Sequence, residues 1–210
     1  MKKFIRLVFC FCLCLCLFCS CANDDGANIK KAAPTKDISE YQGENQVKSY
    51  ENKHLSLGFN LPEGWRFYTD KEIEQIFGAV QSTITGETES SGYFVDMYAV
   101  SDDLKSSVNA VIEEKTEGTI GLSSQKLADN AARLVKSEYE KIYDETKLEQ
   151  KEIQIGEKSY FGYDVMCEYE KMPLYQRAFI IDTQNHVATI TITATTHAEL
   201  DIILKSFYNI

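Results

Sequence analysis

Cys10, Cys12, Cys14 and Cys16 stand two residues apart, and thiolates at that spacing could in principle gather a soft metal. They lie inside an apolar run, where deprotonated ligands would be costly to desolvate, so they read as small hydrophobes. His54, His186 and His197 are the three histidines; each reads as an exposed residue at a strand start, after a turn and in a first helical turn. Asp102-Asp103, and Glu113-Glu114 with Glu117, could supply paired carboxylates for acid-base chemistry or oxygen ligands for calcium. Among 32 acidic residues such pairs arise without purpose, and no spacing fixes a liganding loop. Gly-x-Ser-x-Gly, His-Glu-x-x-His, a phosphate-cradling glycine loop and the EF-hand pattern are absent. No catalytic, cofactor-binding or metal-binding residue is assigned, and no cofactor is implied. Enzymatic activity is left open, with a non-catalytic module favoured.

The cysteine with a definite chemical expectation is Cys21. Lys2, Lys3 and Arg6 precede an apolar run from Leu7 to Phe18, too short to cross a hydrocarbon core of about 30 Å. This is the pattern of a signal peptide over residues 1–20. Phe18-Cys19-Ser20-Cys21 resembles the bacterial lipobox, with phenylalanine where leucine is usual and Cys19 where alanine or serine is usual. The resemblance implies cleavage between Ser20 and Cys21 and a diacylglyceryl group on the Cys21 thiol. Six of the seven cysteines then fall in the leader or at its cut. Cys167 is left without a disulfide partner, and it shares the apolar face of an alternating run, as a packing residue does.

Charge narrows the partners. Removing Lys2, Lys3 and Arg6 leaves nineteen basic against thirty-two acidic residues, a net charge near −13. Nucleic acid and direct adsorption to anionic headgroups are both disfavoured, because each needs a basic face. The diacylglyceryl anchor must then hold the chain to the membrane, and two acyl chains suffice.

Residues 21–46 read as a lipidated N-terminus and flexible tether. They are polar, contain Pro34 and lack apolar periodicity, which gives a reach of roughly 25–30 Å. Residues 47–210 read as one domain. Leu55 to Leu61 alternates as a strand; Pro62-Glu63-Gly64 turns; Trp65 to Tyr68 returns as a second strand. Thr69 to Glu72 has capping-box spacing before a short helix, Asp70 to Phe77, stopped by Gly78. After a polar loop from Gly86 to Gly92, Tyr93 to Val100 is apolar on both faces, the mark of a central strand. Val108 to Ile112 fits either strand or helix. Ser123 or Ser124 caps a long helix to about Tyr143, and four strands follow as a meander: Leu148 to Ile155, Ser159 to Glu170, Leu174 to Asp182 and His186 to Ala194. Thr196 and Glu199 cap a last helix whose apolar stripe is Leu200, Ile203, Leu204 and Phe207. The order predicts an α+β fold, an antiparallel sheet of about six or seven strands flanked by helices. Tyr93, Tyr98, Tyr160, Tyr163, Tyr169 and Tyr175 could form a binding surface, but core packing is the favoured role, so no binding residue is named.

Leu57-Gly58-Phe59-Asn60-Leu61-Pro62-Glu63-Gly64-Trp65 near the start, and Thr189-Ile190-Thr191-Ile192-Thr193 followed by the helix with Ser206-Phe207, resemble the PsbP-like superfamily, which includes bacterial lipoproteins of the DcrB kind. The resemblance covers about Val47 to Ile210. It implies a PsbP-like sandwich and a habit of acting as binding or accessory modules, with no shared active site to carry over.

The expectation is a lipid-anchored accessory or binding module on the extracytoplasmic face of a bacterial membrane, serving a protein or envelope partner. A cell-surface hydrolase built on scattered carboxylates with His54 or His186, and a small-ligand-binding lipoprotein of a transporter, are the alternatives.

Overall fold

His186 to Ala194 alternates Ala188, Ile190 and Ile192 with Thr189, Thr191 and Thr193, and every residue of it is buried. A strand covered on both faces needs a layer on each side, and the rest of the chain supplies them. The computed structural model describes residues 41–76, 93–169 and 171–210. The leader, Ser20, Cys21, the tether before Tyr41, the Phe77-Gly78 helix stop, the Gly86 to Gly92 loop and Glu170 lie outside these residues.

In chain order the elements are Glu44–Asn45 (β1), Ser49–Asn52 (β2), Leu57–Asn60 (β3), Trp65–Phe67 (β4), a helix over residues 70–76 (α1), Tyr93–Ser101 (β5), Ser107–Glu114 (β6), the helix Ser124–Tyr139 (α2), Glu145–Ile155 (β7), Lys158–Tyr169 (β8), Met172–Asp182 (β9), His186–Ala194 (β10), the helix His197–Leu204 (α3) and Phe207–Asn209 (β11). They form two sheets, one of four strands ordered β1-β2-β3-β11 and one of seven ordered β4-β5-β6-β10-β9-β8-β7. All these pairings are antiparallel. The meander β7 to β10 enters at the far edge after α2 and returns to the centre beside β6.

The seven-stranded sheet is the middle layer. On one face Met97, Ala99, Ala110, Ile112, Phe179, Ile190 and Ile192 pack against Tyr50, Leu57 and Phe59 of the small sheet and against Leu200 and Ile203 of α3. On the other face α2 lays Leu127, Ala131, Val135 and Tyr139 over Tyr163, Val165 and Ile180. Beside it α1 brings Ile73 over Tyr98, Val100 and Val111. Burial of this apolar surface on both faces is the main stabilising term, at roughly 25 cal/mol per Å².

The α+β class and the antiparallel arrangement agree with the sequence, and four details differ. The sheet of six or seven strands is present with seven, and a second sheet of four strands joins it; the turn from β3 in the small sheet to β4 in the large one passes through Gly64, at a φ of 73° that favours glycine. The ordered fold begins ahead of Val47: Tyr41 is buried and β1 pairs with β2. β5 lies next to the edge strand β4; it is apolar on both faces because the small sheet and α1 cover it. Phe207 does not extend the stripe of α3. The helix ends at Leu204, and Phe207 pairs with Phe59 as part of β11.

Candidate functional site

Asp164 and Arg177 are directly opposite one another on β8 and β9, on the face that carries α3. Strand register brings together two charges that the sequence separates. The guanidinium donates through Nε to Asp164 Oδ1 at 2.7 Å and through Nη2 to Oδ2 at 2.8 Å, a two-point clamp. Its third arm, Nη1, donates to Asp201 Oδ1 on α3 at 2.6 Å. Lys151 Nζ on β7 donates to Asp164 Oδ2 at 2.9 Å, and His197 Nε2 at the start of α3 lies 3.1 Å from the same oxygen. Arg177 is 3% exposed and Asp164 9%, so the carboxylate that gathers four elements is close to dry.

The electrostatics follow from this geometry. Burial alone would raise the Asp164 pKa, but the hydrogen bonds and charges of Arg177 and Lys151 outweigh it and hold the carboxyl below its ordinary value. The Arg177 hydrogen bond likewise holds Asp201 down, and Asp164 and Asp201 together raise Arg177 against the opposing effect of burial. A carboxylate held ionised by two fixed cations is a weak proton acceptor.

Beside this cluster is a cleft of about 170 Å³ whose lining includes Lys147, Glu149, Met166, Tyr175, His197 and Leu200. Tyr175 meets the His197 ring edge-on, with centroids 6.4 Å apart. The cleft sets Lys147 against the carboxylates of Glu149 and Asp164, beside the apolar Leu148, Val165, Met166 and Leu200. It is small, so it suits one side chain or one small polar group better than an extended ligand.

His54 and His186, the histidines of the hydrolase alternative, converge on Tyr41. The Tyr41 ring lies 4.5 Å from His54 and 3.9 Å from His186. His54 is exposed as expected, whereas His186 is buried, because Tyr41 from the chain ahead of β1 packs against it. That segment is fastened by Asp96, the extra residue of a bulge in β5 between Val95 and Met97. Its carboxylate accepts from Gly43 N at 2.8 Å, from Asn52 Nδ2 at 2.7 Å and from the Tyr50 hydroxyl. Burial raises the Asp96 pKa despite these donors.

The acidic runs are not brought together. Asp103 accepts from Ser101 Oγ at 2.7 Å in the turn between β5 and β6, while Glu113 and Glu114 are adjacent in a strand and point to opposite faces. Among the described residues no three His, Cys, Asp or Glu side chains come together in a way that could hold a metal ion. Nor do the tyrosines form one surface: Tyr98 and Tyr163 are buried toward the helices, Tyr160 is buried toward the small sheet, and Tyr93 and Tyr175 are half-buried. The Tyr169 side chain lies outside the described residues. Cys167 is buried, and its thiol is directed at Leu174 O, 3.8 Å away.

The residues that sequence reasoning misses are Lys151, Asp164, Arg177 and Asp201. The sequence marks neither strand charge as interior: Asp164 falls on the polar side of an alternating run, with Gly162 and Glu168, and Arg177 stands next to Gln176.

No family model matches the chain, and no curated protein matches it. Solved structures do. A cyanobacterial PsbP from Synechocystis sp. PCC 6803 is 12% identical, with a TM-score of 0.47 over 87% of this chain and 99% of its own. A protein from Bacteroides thetaiotaomicron VPI-5482 is 13% identical, with a TM-score of 0.40 over 79% of this chain and 49% of its own. LpqN of Mycobacterium tuberculosis, described as involved in cell envelope biogenesis, is 10% identical, with a TM-score of 0.43 over 72% of this chain and 82% of its own.

Proposed function

We propose that the chain is a non-catalytic binding or accessory module, held to the extracytoplasmic face of a membrane by a lipid on Cys21 and serving a protein or envelope partner. The observation that carries the non-catalytic reading is the state of Asp164. Arg177, Lys151 and His197 occupy its two oxygens, and Asp201 takes the remaining arm of Arg177. Charges satisfied in this way fasten α3 to the sheet and are not poised to move a proton. The lipobox-like Ser20-Cys21 supports the anchor, and the acidic balance supports a partner other than nucleic acid.

A second reading, a surface hydrolase, is favoured by one specific contact: the His197 imidazole within hydrogen-bond reach of a carboxylate at a cleft. Against it, the described cleft lining contains no serine, threonine or cysteine to act as nucleophile. The two readings separate on His197→Ala, assayed with a panel of ester and phosphoester substrates alongside thermal unfolding. The module reading expects no turnover from either protein and a small stability change. Turnover by the wild type that is lost in a folded His197→Ala variant would establish the hydrolase instead.

A further inference from the structure

β7 is the last strand of the seven-stranded sheet, so one of its edges is paired with β8 and the other has no strand partner among the described residues. β11 comes near it only at the far end, where Asn209 stands against Gly156. Residues 145–152 are exposed or half-buried, whereas Ile153 and Ile155 belong to the core. Open edges of this length invite pairing, and proteins guard them with charge, most often lysine. The charges here alternate in sign along one face: Glu145, Lys147, Glu149 and Lys151. A guard of one sign repels a second copy, but an alternating row can complement itself.

We propose that two copies of the chain pair antiparallel through the exposed edge of β7, centred on Leu148, so that their sheets run on as one. A two-fold axis normal to the sheet keeps each face continuous and therefore sets odd residues against odd ones. Centred on Leu148, Lys147 faces Glu149 and Glu145 faces Lys151 of the second copy, with Leu148 against Leu148 and Thr146 against Gln150 on the other face. Centring on Lys147 opposes Glu145 to Glu149 and Lys147 to itself; centring on Glu149 opposes Lys147 to Lys151. Both place like charges in contact. Centring on Gln150 draws in Ile153 and Ile155, which are already buried. In the chosen register Asp144 and Glu152 meet only at the ends of the overlap. Glu149 makes no hydrogen bond or ion pair among the described residues, so its charge is available to Lys147 of the second copy, which within its own chain lies 2.7 Å from Glu145 Oε1. Main-chain hydrogen bonds supply the attraction, and the charge row selects the partner and the register.

The test is oxidative cross-linking of the full chain in the membrane. Leu148→Cys should cross-link to a dimer, since residues directly opposite lie at distances a disulfide spans. Thr146→Cys and Gln150→Cys should each stay near the wild-type background alone and cross-link when the two are co-expressed. Lys147→Glu in the Leu148→Cys chain should cut the dimer yield about fivefold, and adding Glu149→Lys should restore it. Equal cross-linking at all three positions, a product with another protein in place of the dimer, or no rescue by the paired charge swap would each overturn the proposal.

Discussion

Glu113 sits on the helix-facing side of β6 with no hydrogen-bond or ion-pair partner among the described residues, opposite Val187 and Tyr93 on the neighbouring strands. Burial pushes its pKa up from 4.5 to about 8. The folded chain then holds a proton there that the unfolded chain has released. Its contribution to stability is full below about pH 4.5 and is lost as pH rises through about 8. Thermal unfolding of the wild type should fall between about pH 5 and 9, whereas Glu113→Gln should be flatter and more stable at the alkaline end. For a carboxyl that solvent partly reaches, the difference should be about 1–2 kcal/mol. Asp164 has the opposite sign, since its lowered pKa makes its contribution present above about pH 4 and lost in acid. Asp164→Asn leaves Arg177 buried without its counter-charge and should cost about 3 kcal/mol at neutral pH, read by denaturant unfolding, with the gap to wild type closing in acid. Neither role is legible in the sequence. Gly162, Asp164, Met166 and Glu168 read there as the solvent side of a strand, and only α3 landing on that side makes Asp164 an interior charge.

At the scale of elements, sequence reasoning succeeds where period and cap agree. Ser123 accepts from Lys126 N at the start of α2, Thr196 accepts from Glu199 N at the start of α3, and β10 has the bounds that its alternation predicts. It fails for β1 and β11, because two or three residues carry no period; β11 exists because β3 offers it an edge. The Phe207 error has the same origin, since a buried phenylalanine three residues past a helix looks like one more turn of that helix. Thr196→Ala should cost α3 about 1 kcal/mol by the loss of its cap, measured as a lower denaturant midpoint. Gly162 shows how tightly β8 and β9 meet: a Cβ there would lie 2.1 Å from the Ala178 carbonyl oxygen. Backbone cannot yield as a flexible side chain can, so Gly162→Ala should destabilise by about 2–3 kcal/mol and loosen the register that joins Asp164 to Arg177.

For the whole molecule, one acidic α+β body pairs the buried charges of Asp164 and Arg177, and a small cleft lies beside them at the border of β7, β8 and α3. No helix among those residues is long and apolar enough to cross a membrane. The segment from Tyr41 to Asn45 is bound into the fold, through Asp96, Asn52 and the pairing of β1 with β2, so the described domain includes residues ahead of Val47. The module proposed above would reach its partner from the membrane through the residues ahead of Tyr41 and a lipid on Cys21. The most direct measurement is metabolic labelling with a fatty-acid analogue, followed by fractionation, for the wild type and Cys21→Ala. The account predicts a labelled wild type in the membrane fraction and an unlabelled variant released from it. Equal labelling of the two chains, or no label on either, would contradict it.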